Sequence, residues 1–137
     1  MTKFPKKIYK LVPLLILVVL VLAGCSDSLT PFDVASQYLQ NEANANFISN
    51  YDLLSSDSQL KIGRNEYAAR LNQARQDAGI VSISNIVPEK NPTTIGNRAS
   101  VPYHVDVTLQ NGQKTTLFEA LVMLHQDNGW RIVWPPQ

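Results

Sequence analysis

His104 and Asp106 stand two apart in an alternating segment, a spacing that places both on one face of a strand. A carboxylate beside an imidazole can act as a general base. Their neighbours point to a plainer role. Val101, Tyr103, Val105 and Val107 are the apolar set of the same segment, so that set is expected to face a core and the His104–Asp106 pair to face outward. His125 flanks a turn and is expected to be exposed. Two histidines without clustered carboxylates do not make a zinc site, so no metal is expected. Ser58-Gln59-Leu60-Lys61 has the Ser-x-x-Lys spacing of an acyl-transfer nucleophile and its base, and Lys114-Thr115-Thr116 loosely matches a Lys-Thr-Gly element. The Ser-x-Asn element that such an enzyme needs between them has no room. No glycine-rich phosphate-binding motif occurs either. The chain is therefore expected to have no catalytic residues and no cofactor. Trp130 and Trp134 could stack a sugar, but with Ile132 they form one face of a strand and are expected in the core.

The remaining reactive residue is Cys25, the one cysteine of the chain. Lys3, Lys6, Lys7 and Lys10 precede an apolar run from Leu11 to Leu22, which ends in Ala23-Gly24-Cys25. A basic start, a short apolar core and small residues at a cleavage point form a secretory signal. The run from Ile8 to Ala23 is about 16 residues, short of the ~20 that span a bilayer as a helix, and Pro13 lies inside it. Leu22-Ala23-Gly24-Cys25 resembles the lipobox of bacterial lipoproteins. The resemblance implies cleavage before Cys25, a diacylglycerol thioether on its sulfur and an acylated N-terminus. The protein is then expected on the extracytoplasmic side of a cell membrane, held by lipid.

Removing the signal changes the charge balance. Four of the twelve basic residues lie before Cys25 and all eleven acidic ones after it, which leaves the mature part at −3. A mildly acidic domain lacks the electrostatic footprint for nucleic acid. It also has no basic stripe for anionic headgroups. The expected organisation is a signal peptide at 1–24, a lipidated tether at 25–29 that reaches only ~15 Å, and one domain at 30–137.

The elements that position these residues follow from periodicity. Thr30-Pro31 is a helix start, with Val34, Ala35, Tyr38 and Leu39 on one face up to about Asn44. Phe47 to Leu54 is a second, shorter helix, and Ser55–Ser58 is a turn or a new cap. Asn65 is expected to cap a third helix with the stripe Tyr67, Ala68, Leu71, Ala74 and Ala78, closed by Gly79. The period then becomes two. Strands are expected over Ile80–Val87, Ala99–Gln110 and Gln113–Gln126, with an Asn111-Gly112 hairpin, and a last strand carries Trp130 to Trp134. Between Leu117 and Leu124 the return strand is apolar on both faces. Leu117, Leu121 and Met123 share one face, and Phe118, Ala120, Val122 and Leu124 the other. One face meets the helices and the other is left as a strip for a partner. Leu117, Leu121 and Met123 are taken as that surface, for a homodimer or an envelope protein.

Helices followed by a meander of long strands give an α+β layout, with three helices packed in the concavity of a curved antiparallel sheet. With Ser55–Ser58 after the second helix, Val101-Pro102-Tyr103-His104-Val105, and the Gly129-Trp130-Arg131-Ile132-Val133-Trp134 ending, the chain resembles the nuclear transport factor 2-like cone. Within that superfamily it is most similar to the N-terminal domain of class B penicillin-binding proteins of the methicillin-resistance type. The resemblance covers Thr30 to Pro136. It implies a non-catalytic interaction domain in cell-envelope work, because the transpeptidase portion of those proteins has no counterpart in these residues. The alternative is a small-ligand-binding or lyase/isomerase domain that uses the cone interior, with His104 and Asp106 as its pocket pair.

Overall fold

The computed structural model describes residues 28–135. The signal segment, Cys25 and most of the tether lie outside the described residues.

Helix α1 (Pro31–Ala43) starts where the sequence places it. The Asp33 N–H donates to Thr30 Oγ1 at 3.2 Å, and the Thr30 N–H donates to Asp33 Oδ2 at 2.9 Å, a reciprocal cap. The Thr30 hydroxyl, which also donates to Asp33 Oδ2 at 2.6 Å, and the Thr30 N–H together hold the Asp33 carboxyl below its ordinary value. Val34, Ala35, Tyr38 and Leu39 form the buried face, as the period requires. Helix α2 (Phe47–Tyr51) is a short piece, shorter than expected. Ser55 caps a further helix, α3 (Ser56–Lys61), so the described residues contain four helices rather than three.

Helix α4 (Arg64–Asp77) starts ahead of Asn65. Ile62 is buried in extended conformation, Gly63 takes the cap position, and the Arg64 guanidinium bonds back to the Asp52 carboxylate. Only Tyr67 and Ala68 of its stripe are buried; Ala74 and Ala78 are exposed. The second half of α4 serves α1 instead. Arg75 Nη1 donates to the Glu42 carbonyl at 2.7 Å and to the Ala43 carbonyl at 3.3 Å, which satisfies the open end of α1. Gly79 then turns the chain at φ +66°, the left-handed region that its lack of a Cβ permits.

The strands are β1 (Ile80–Pro88), β2 (Thr93–Ile95), β3 (Arg98–Leu109), β4 (Lys114–Gln126) and β5 (Gly129–Ile132). All pairs among them are antiparallel, in the order β1-β3-β4-β5, with β2 beside the start of β3. The sheet curls around the helical layer as a half-barrel. A bridge between Leu54 and Ile132, the one parallel pairing described, ties that layer to β5. The core contains Val34, Tyr38, Leu39, Phe47, Leu54, Tyr67, Val101, Leu121, Met123 and Ile132.

The β3–β4 register decides which face of β4 is inside. Leu121 lies opposite Val101 and Met123 opposite Ala99, so the odd-numbered residues turn to the helices. Leu121 is 9% and Met123 0% exposed. This corrects the expected partner surface: two of its three residues are core, and only Leu117 is open. The uncovered strip is the even-numbered set.

Candidate functional site

Most of the concave interior is filled by the protein's own side chains, and a cleft of about 180 Å³ remains between Glu42, Phe47, Leu71, Arg75, Ile80 and Ile83. The Tyr38 and Tyr67 hydroxyls are 3.0 Å apart, and both groups are pushed well above the ordinary tyrosine range, mainly by burial. The Trp134 ring meets Tyr67 edge-on at 5.3 Å. Asn50, fully buried, donates from Nδ2 to the Tyr38 carbonyl at 3.1 Å. Ser58 is spent in the same lattice: its Oγ pairs with Ser55 Oγ at 2.8 Å and accepts the Trp134 N–H at 2.8 Å. Lys61 is exposed. The Ser-x-x-Lys spacing is thus a helix cap and a core contact, and Ser58 is held away from solvent at 2% exposure.

Polar groups gather farther out along the interior. Tyr103 on β3 donates to Glu119 Oε2 on β4 at 2.8 Å. Burial raises the Glu42 carboxyl; the Tyr38 hydroxyl and the Arg75 charge oppose that shift, and the Glu119 charge adds to it. Burial and Glu119 push the Tyr103 hydroxyl up as well. Nothing in the sequence pattern marked Glu42, because it sits on the helix face next to Tyr38 with an ordinary i, i+4 spacing. Among the described residues no three His, Cys, Asp or Glu side chains converge as metal ligands.

His104 and Asp106 lie on the other face. The His104 ring packs on Phe118 at 5.5 Å. Asp106 accepts from Thr116 Oγ1 at 2.7 Å and from Asn85 Nδ2 at 3.1 Å, and those bonds hold its carboxyl below the ordinary value. Neither residue reaches the interior. His125 is exposed and meets the edge of Trp130 at 5.0 Å.

That convex face has a polar and an apolar half. Ser82, Ser84, Asp106, Thr108 and Thr116 occupy one end. At the other, Val87, His104 and Phe118 form a cross-strand row, followed by Pro102 with Ala120 and Ser100 with Val122. Phe118 is 77% and Val87 42% exposed. A shallow cleft of about 320 Å³ between Thr93, Ile95, Arg98 and Val122 continues this end. A second, polar cleft of about 520 Å³ opens at the rim between Asp52, Gln59, Gln126 and Arg131. Arg131 braces it, donating to the Asp52 carbonyl at 2.7 Å and to Asn128 Oδ1 at 3.0 Å.

Solved structures share this arrangement. A putatively assigned nuclear transport factor 2-like transpeptidase from Campylobacter jejuni superposes with a TM-score of 0.50 at 14% identity, over 77% of this chain and 98% of that one. The fold is a nuclear transport factor 2-like cone. A SEC-C motif-containing protein from Rhodopseudomonas palustris is similar at a TM-score of 0.59, with 10% identity over 76% of this chain and 75% of its own. Aln2 from a Streptomyces species is similar at 0.50, with 13% identity over 72% and 80%. At these identities the likeness is one of fold. No protein-family profile and no curated protein sequence matches the chain.

Proposed function

We propose that this protein is a lipid-anchored, extracytoplasmic component of the cell envelope whose cone domain is a non-catalytic interaction module. The observation that supports this reading is the inversion of the cone's two faces. The concave side is packed with tyrosine, tryptophan and aliphatic side chains, while an apolar strip of Val87, Pro102, Phe118, Ala120 and Val122 stands uncovered outside. Enzymes of such shape need an open pocket with convergent polar groups. A binding module needs an intact core and a competent outer surface. The anchor rests on the Lys-rich start, the apolar run and Leu22-Ala23-Gly24-Cys25. Two or more acyl chains give stable membrane attachment, where one gives only a marginal one.

Metabolic palmitate labelling tests the anchor: wild type takes the label and sediments with membranes, and Cys25→Ser does neither. A Cys25→Ser protein that keeps the label removes it. A second reading, a small-ligand or lyase/isomerase domain, is favoured by one feature, the Glu42–Tyr103–Glu119 group along the interior. A small molecule that raises the melting temperature of wild type but not of Glu119→Gln would support it.

A further inference from the structure

The sheet's two long edges are built differently. Along β1 the register against β3 shifts twice, between Ile80 and Ser82 and between Ser84 and Val87. Asn85 there has φ +47°, and Pro88 and Pro92 follow. Bulges and prolines are how natural sheets keep an edge from pairing with another chain. The β4 edge has neither. Strand β5 pairs only with Met123–Gln126, and the Val133 N–H reaches the Val122 carbonyl at 2.9 Å. From Leu121 back to Lys114 no described strand lies on that side. The β3–β4 register is unbroken from Arg98↔Leu124 to Thr108↔Lys114, so strict alternation holds. Val122 directs its backbone groups to the β5 side; those of Ala120, Phe118, Thr116 and Lys114 therefore face the open edge. Every residue from Lys114 to Ala120 is exposed.

We propose that this edge pairs antiparallel with the β4 edge of a second copy of the chain, about a two-fold axis at Leu117. The inference goes beyond the binding-module reading, since it uses the backbone edge and not the convex face. In this register Thr116 exchanges hydrogen bonds with Phe118 of the second copy, and Lys114 with Ala120. All four outward-facing residues are satisfied. Leu117 meets Leu117 of the second copy on the concave side, and the two Phe118 rings come within diagonal reach on the convex side. The strand's two exposed large apolar residues, Leu117 at 40% and Phe118 at 77%, are thereby covered together. Charge selects the same alignment. The segment carries only Lys114 and Glu119, and here Glu119 faces Thr115 and Lys114 faces Ala120. Centring the axis on Phe118 instead would make the two Glu119 carboxylates diagonal neighbours, where like charges are unfavourable. A closed isologous pair is also the commonest form of self-association.

Thiol cross-linking of the full chain in detergent, in a Cys25→Ser background, tests the register. Leu117→Cys is expected to oxidise to a covalent dimer, because directly opposed non-hydrogen-bonded positions lie ~4.5 Å apart, within disulfide reach. Thr115→Cys alone is not expected to link, whereas Thr115→Cys mixed with Glu119→Cys is. Ala120→Pro removes an outward N–H that the β3 ladder does not use. It is expected to convert the sedimenting dimer to monomer while the melting temperature stays that of the wild-type monomer. Should Ala120→Pro melt early, the Leu117→Cys result decides alone. A chain that is monomeric at every concentration, with no Leu117→Cys product, overturns the proposal. So does a dimer that survives Ala120→Pro and cross-links through Pro102→Cys; that outcome would leave the convex face as the contact. Neither result bears on the lipid anchor, which palmitate labelling reads separately.

Discussion

Lys114–Ala120 and Leu121–Gln126 are halves of one strand in one register, yet the first is exposed at every residue and the second contributes Leu121 and Met123 to the core. Apolar content does not separate them: Leu117 and Phe118 are as hydrophobic as the residues that are buried. What differs is the neighbour. The second half has β5 beside it and the α2–α3 region across from it, joined through Leu54 and Ile132. The first half runs past these partners. Burial here is a property of what the chain places opposite a residue, and the hydrophobic pattern supplies only the candidates.

Substitutions in the covered half and its neighbours should be costly, and substitutions in the open half cheap. Trp134→Ala removes the ring that closes on Tyr67 and is expected to cost roughly 3 kcal/mol or more in denaturant titration. Met123→Ala, at a fully buried position of β4, is expected to cost ~2–5 kcal/mol. If it unfolds at the wild-type midpoint, the contrast between the halves is broken. Glu42→Gln is expected to raise the melting temperature at neutral pH. Burial holds the Glu42 carboxyl above its ordinary value, so between the ordinary and the raised value the folded state keeps a proton that the unfolded state has released, and above both the buried charge disfavours folding. That group's contribution is most favourable below the ordinary glutamate value and is lost as pH rises through the raised one. The wild-type and Glu42→Gln melting curves should therefore converge on acidification and separate towards neutrality. Identical differences at all pH values would sink this account. Phe118→Ala should change the stability of the monomer by less than ~0.5 kcal/mol, the range of surface positions.

Much of the scaffold was legible in the sequence because its signals are local. Thr30-Pro31 specifies a helix start from two residues, and Asn111-Gly112 specifies a turn from two. The alternation of Val101, Tyr103, Val105 and Val107 reported the inward face of β3 and so placed His104 and Asp106 outside. Where both faces of β4 were apolar, alternation was silent, and the strip was assigned to the wrong face. The choice depended on pairing with β3, a long-range fact. Helix α3 was ambiguous because Ser55 is equally good in a turn and at a cap. Glu42 was invisible because the charges that act on its carboxyl, Arg75 and Glu119, lie far along the chain.

The bridge between Leu54 and Ile132 has a consequence for the order of assembly. The Ser55 N–H donates to the Ile132 carbonyl and the Ile132 N–H donates to the Leu53 carbonyl, each at 2.8 Å. Partners so far apart in sequence must close a long loop before either bond forms. A nascent chain that has emerged only as far as β4 has its helices but lacks the strand that locks them, and contacts of such long range slow folding. The polypeptide is therefore expected to stay loose until Gly129–Trp134 has been made. On the lipid-anchored reading proposed above, that delay would keep the chain in a form that can be threaded through a membrane.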